Sequence, residues 1–130
     1  MNNTLKIGLD IHGVIDQYPE KFKQLAYALA KDGAEVHVIT GLKRDHEAEQ
    51  LLEEAGIRYS HYFSIVDYLE GKGELIEWQN GLPYADEQKW NNAKSEYCEL
   101  EGIDFMFDDS PTYLKSFNGI DTTYLHVINH

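Results

Sequence analysis

The sequence predicts an α/β fold: a doubly wound, mostly parallel sheet with helices on both faces, formed as one domain over residues 1–130. Two observations and one rule of topology carry this. Short apolar runs alternate along the whole chain with longer stretches of helical spacing. Glycines close the helical stretches at Gly33, Gly56 and Gly102. Parallel strands need crossovers, and helices are the usual ones, so regular alternation points to a parallel sheet.

Residues 5–9, L-K-I-G-L, read as a buried strand closed by Asp10. After a loop holding Gly13, Pro19 suits the first turn of a helix, and Phe22, Leu25, Ala26 and Leu29 recur at its spacing. A second strand, 36–39, runs into Thr40 and Gly41. Residues 44–55 form a helix with Ala48, Leu51, Leu52 and Ala55 on one face, its acidic run 47–54 facing water. The aromatic and β-branched stretch 58–65 reads as a third strand. Between 66 and 90, Gly71, Gly73, Gly81 and Pro83 predict turns and a small hairpin. Residues 87–101 read as one helix or two short ones, with Ala93, Tyr97 and Leu100 inward. Phe105, Met106 and Phe107 form a fourth strand running into Asp108 and Asp109; Pro111 opens a short helix, and 122–128 is a fifth strand.

Composition narrows the function classes. Eleven Lys and Arg against 23 Asp and Glu leave a net charge of −12, which disfavours nucleic acid and anionic membrane as partners. With 42% apolar and 26% charged residues the chain has the make-up of a globular domain. The single cysteine, Cys98, forms no internal disulfide and reads as a buried apolar group in a reducing compartment. The first residues lack the apolar core of a secretion signal, and no apolar stretch is long enough to span a bilayer, so a cytoplasmic location is expected.

In doubly wound sheets ligands sit beyond the carboxyl ends of the strands. The polar residues in that position are Asp10, then Thr40 with Gly41, then Asp108 with Asp109. Converging carboxylates repel unless a cation intervenes, and an all-oxygen donor set suits Mg2+. Thr40 offers a hydroxyl and Gly41 an unobstructed N–H, both donors to phosphate oxygens. A nearby lysine would serve both phosphate and aspartate.

These residues carry a resemblance. L-K-I-G-L-D-I-H-G-V-I resembles the first motif of the haloacid dehalogenase-like (HAD) superfamily, V-H-V-I-T-G its second and F-M-F-D-D-S its fourth, in the family's order. The resemblance implies a Rossmann-like core and a Mg2+-dependent phosphatase acting on a phosphorylated metabolite or nucleotide. It implies that Asp10 is the nucleophile, forming an aspartyl-phosphate that water hydrolyses. Asp10, Asp108, Asp109 and the backbone carbonyl of His12 would hold Mg2+, while Thr40 and Gly41 would bind the phosphoryl group. The third-motif lysine has two candidates: Lys94, preferred because it opens the segment before the acidic strand, and Lys89, which keeps a longer helix behind it.

His12 departs from the pattern, since phosphatases of the family usually carry a second Asp there. A histidine can act as general acid and then base at neutral pH, with Asp10, Asp108 and Asp109 drawing its ring towards protonation. The alternative is a weak or inactive member whose metal and phosphate site survives. No other histidine (His37, His46, His61, His126, His130) takes a role; His37 reads as packed in its strand. Ser110 reads as a cap ahead of Pro111.

No full cap domain fits between the motifs. A core of this kind resembles members that act on accessible phosphoryl groups or cover the site by oligomerising, so a homo-oligomer stays open. The aromatic stretch 59–68 with Trp78, Tyr84 and Trp90 reads either as a small lid or subunit contact, or as ordinary packing. A signalling receiver domain shares the length and an Asp, Thr and Lys site, but it places its acidic pair after the first strand.

Overall fold

A computed structural model describes residues 4–129; the first three residues and His130 lie outside it. The chain runs β1 (Lys6–Leu9), a tight loop (Ile11–Ile15), α1 (Pro19–Lys31), β2 (Glu35–Thr40), α2 (His46–Ala55), β3 (His61–Ser64) and α3 (Ile65–Gly71). It continues through the hairpin β4 (Leu75–Gln79) and β5 (Leu82–Ala85), α4 (Glu87–Glu101), β6 (Phe105–Asp108), a short 3-10 turn (Leu114–Phe117) and β7 (Thr123–His126).

Five strands form one parallel sheet in the order β3-β2-β1-β6-β7; β4 and β5 pair antiparallel apart from it. From β1 the chain winds outward through β2 and β3, then returns to the other side of β1 as β6 and β7. The direction reverses between β1 and β6, and that crevice is where doubly wound sheets bind ligands.

Alternation along the strands feeds two cores. Ile7, Leu9, Val36 and Val38 meet Phe22 and Ala26 of α1 and Leu52 of α2 on one face. Ile39, Phe63 and Met106 meet Leu69 of α3, Ala93 and Cys98 of α4 and Phe117 on the other. Gly8 stands at the centre of β1 on the second face. A methyl group there would lie 2.5 Å from Ile39 Cδ1 and 2.7 Å from Met106 Sδ, so the layers close over a missing side chain.

Helix boundaries follow their caps. Asp45 accepts from Ala48 N–H at the start of α2, and Asp86 from Lys89 N–H at the start of α4. Gly56 and Gly102 end those helices with left-handed backbone, as glycine permits.

Several expectations are corrected. The third strand is His61–Ser64 rather than 58–65, because Ser64 accepts from Asp67 N–H and turns Ile65 into the first residue of α3. That helix was not foreseen; it is seven residues long and buries Ile65, Val66 and Leu69. Leu100 is 83% exposed, not inward. The inner face of α4 centres on Lys94 and Cys98, and at 3.6 residues per turn Leu100 comes round to about 240° from Lys94. The short helix forms at Leu114–Phe117 instead of at Pro111, because Thr112 N–H bonds Ser110 Oγ and ties residues 110–113 into a turn. The last strand stops at His126. The hairpin expected between 66 and 90 is β4–β5, and 87–101 is a single helix.

Gly8→Val should lower unfolding stability by about 1–3 kcal/mol, the usual cost of overpacking, measured by urea denaturation. Unchanged stability would mean that Ile39 and Met106 move aside freely.

Candidate active site

Asp10 and Asp108 come from the adjacent strand ends that flank the switch point. Asp10 N–H donates to the Phe107 carbonyl at 3.0 Å, extending the β1–β6 pairing by one residue and fixing Asp10 at the rim. Its Oδ1 accepts from Ile11 N–H at 2.8 Å. Asp108 is fully buried, and its Oδ1 accepts from Ser110 N–H at 3.1 Å.

Between them lies Lys94, two turns into α4 and 1% exposed. Its Nζ stands 2.7 Å from Asp108 Oδ2 and 3.3 Å from Asp10 Oδ1. The Tyr113 ring faces the ammonium at 4.8 Å. Burial pushes the Asp10 pKa up to about 7; Lys94 pulls it down and Asp108 adds to the rise. Burial also pulls the Lys94 ammonium down, but Asp10 and Asp108 outweigh it and leave its pKa above the ordinary lysine value. Lys94 therefore stays charged. Lys89, the other candidate, is exposed with its Nζ 3.4 Å from Glu74 Oε1, away from the site.

Asp109 sits half-buried against Gly13. A Cβ on Gly13 would fall 2.0 Å from Asp109 Oδ2, and the backbone there has φ +81°, so only glycine fits. Asp10, Asp108 and Asp109 each offer an oxygen, all within 4.8 Å of one another. Oxygens sharing one octahedral Mg2+ at 2.0–2.1 Å stand about 3 Å apart when adjacent and about 4 Å when opposite. Three carboxylates and one ammonium also leave a residual charge of −2. An all-oxygen set of this kind could hold a small divalent cation.

Thr40, 1% exposed, accepts from Leu42 N–H at 3.2 Å through Oγ1, which keeps its own proton for an incoming acceptor. Asp10, His12, Thr40, Gly41, Lys94 and Asp109 line one open cavity of about 370 Å³. Asp108 stands one layer deeper, behind Lys94. All the residues expected at the site are thus brought together.

His12 differs from expectation in its partner. Its side chain is 62% exposed, and Nδ1 lies 2.8 Å from Asp16 Oδ2, a carboxylate outside the expected set. Asp16 Oδ1 also accepts from Gly13 N–H at 2.8 Å, so one carboxylate braces the loop and the ring together. Asp16 and Tyr113 were not singled out from the sequence. The i, i+4 spacing of His12 and Asp16 was the available signal for the first; Tyr113 follows a proline in an irregular turn and left none.

A second grouping, Glu35, His37 and His61, lies at the opposite rim, with Glu35 and His61 opening β2 and β3. His37 Nε2 is 2.8 Å from Glu35 Oε1 and Nδ1 2.6 Å from Tyr97 Oη, while its ring stacks on His61 at 4.1 Å and 6°. Parallel rings aim their lone pairs side by side instead of at one point, so this is a packed polar cluster. Burial holds the His37 pKa below its ordinary value. Cys98 is free and buried, its thiol pushed up to about 12 by burial.

No protein-family model and no curated protein matches the chain. Among the described residues, no helix is long and apolar enough to cross a membrane.

An Asp10 pKa raised from 3.8 to about 7 means that ionising this group costs stability as pH climbs through that window. With metal chelated, Asp10→Asn should unfold at higher temperature than wild type at pH 8, by the equivalent of about 1–4 kcal/mol, and match it near pH 4. An Asn variant less stable than wild type at pH 8 would show that the Lys94 attraction outweighs burial.

Proposed function

We propose that this protein is a Mg2+-dependent phosphohydrolase of the HAD-like type, a core without a full cap domain, acting through an aspartyl-phosphate on Asp10. The observation that carries the reading is the buried Lys94 ammonium bridging Asp10 and Asp108 at the switch point, with Thr40 and Gly41 in the same cavity.

Asp10, Asp108, Asp109 and the His12 backbone carbonyl would hold Mg2+, which when bound neutralises charge between carboxylate and phosphoryl group. The Thr40 hydroxyl, Gly41 N–H and Lys94 ammonium bind the phosphoryl oxygens. An Asp10 carboxylate oxygen forms the new bond to phosphorus as the bond to the leaving oxygen breaks. His12 gives that oxygen a proton, then takes one from the water that attacks the aspartyl-phosphate, releasing phosphate and regenerating Asp10. With Nδ1 held by Asp16, the proton moves at His12 Nε2. Asp16 is a positioning residue here.

The strand order supports this over a receiver domain. Counted within the sheet it is 3-2-1-4-5, whereas receivers are wound 2-1-3-4-5. A second reading, a silent metal- and phosphate-binding module, draws support from the outward lean of His12.

The test is phosphate release with Mg2+ from a panel of phosphate monoesters. Asp10→Asn should lose at least about a thousandfold in kcat, and His12→Ala about a hundredfold or more. Turnover by Asp10→Asn equal to wild type would remove Asp10 as nucleophile. Absence of release by wild type, with activity gained in His12→Asp, would establish the silent module.

A further inference from the structure

We infer that the site takes a monophosphate ester whose leaving group carries a planar aromatic base, a nucleoside monophosphate. This rests on the phosphohydrolase reading and names its substrate class. The cavity that holds the phosphate-binding groups has a second wall made of Leu42, Pro83, Trp90 and Tyr113. That wall begins at the phosphate site itself, because Trp90 Cζ2 lies 3.2 Å from where a Cβ on Gly41 would be. The indole is fixed in place: Trp90 Nε1–H donates to Tyr113 Oη at 3.0 Å, and Tyr113 is in turn held against the Lys94 ammonium. A rigid aromatic surface loses little freedom when a flat ring is laid on it.

The hairpin extends the surface. Pro83 of β5 pairs across the strands with Trp78 of β4, so the two side chains share a face, the one turned to the cavity through Pro83. Trp78 is 48% exposed there. A phosphate at Thr40 and Gly41 thus leads outward onto the Trp90 indole and Pro83, with Trp78 beyond the lining on the same face of the hairpin. Sugars offer hydroxyls that such a wall cannot pair; a base offers a π face that it can.

Charge inside the cavity favours a single phosphate. Lys94 is the ammonium of the lining, and it is already shared between two aspartates. Of the two cations that follow Leu42 outside the lining, Arg44 has its guanidinium on Glu49 at 3.0 Å and Lys43 is exposed. In a chain of net charge −12, a second or third phosphate would meet no ammonium in this cavity.

The experiment compares adenosine monophosphate, ribose 5-phosphate and adenosine triphosphate with Mg2+, reading both phosphate release and quenching of tryptophan fluorescence. Adenosine monophosphate and ribose 5-phosphate differ only in the base. The nucleotide should exceed the sugar phosphate in kcat/KM by at least about fivefold, the lower end of what stacking on an aromatic side chain supplies, mostly through KM, and should exceed the triphosphate. Trp90→Ala should abolish the ratio and Trp90→Phe retain most of it. Trp78→Ala, at an exposed position that does not threaten folding, should reduce it. Equal kcat/KM for nucleotide and sugar phosphate in wild type would overturn the substrate class while leaving the phosphohydrolase intact. No turnover of any compound, with nucleotide quenching that is tighter than for ribose 5-phosphate and lost in Trp78→Ala, would uphold base recognition and overturn the hydrolase. Neither turnover nor quenching would overturn both.

Discussion

A single ammonium organises this molecule. Two carboxylates at the ends of neighbouring strands repel one another strongly once they leave water, and Lys94 is the group that lets Asp10 and Asp108 stand there together. Burying the ammonium would be prohibitive alone; against two carboxylates and an aromatic face it holds its proton. The pairing also fixes how α4 is rolled on the sheet, since the turn that carries Lys94 inward carries Cys98 with it and sends Leu100 to solvent. Helix orientation here is set by an ion triad as much as by apolar periodicity.

The same region shows a conflict between stability and chemistry. A carboxyl pushed up to about 7 by burial is poorly solvated, and a poorly solvated carboxylate is a reactive one. The sheet gives up side-chain volume nearby as well: Gly8 in β1 and Gly13 in the following loop both stand where a Cβ would collide with Ile39, Met106 or Asp109. The first segment of the chain thus brings backbone close to the acidic centre at the expense of local propensity and packing material. Such local inconsistency is characteristic of functional sites in otherwise consistent folds.

Much of this was legible from the sequence, for identifiable reasons. Strands buried on both faces are short apolar runs, and a residue such as Asp10 directly after one is conspicuous, so the strand ends and their polar residues could be read. The switch-point rule then placed residues about 100 positions apart in one crevice. What was not legible depended on single side-chain hydrogen bonds. Ser64 caps a helix where β-branched and aromatic neighbours suggest a continuing strand. The choice between Lys94 and Lys89 turns on which one reaches Asp108, and both lie on the same helix. The partner of His12 is a carboxylate one turn away in the same loop, which electrostatic reasoning about the motif aspartates passed over.

Long-range and short-range electrostatics act in opposite directions in this protein. A net charge of −12 repels any polyanion at distances up to the Debye length, about 8–10 Å in physiological salt. Within the cavity that field is overridden locally by Lys94 and by the Thr40 and Gly41 donors. On the proposed reading, a compact anion that carries its charge at one end and presents a neutral remainder to Trp90 and Pro83 suits both regimes. An enzyme of polyphosphates would need the opposite arrangement, with a basic rim ahead of the acidic centre. In that reading the placement of charge and of aromatic surface point to one ligand shape, although they arise from different parts of the chain: the strand ends supply the first, and the hairpin with the start of α4 supplies the second.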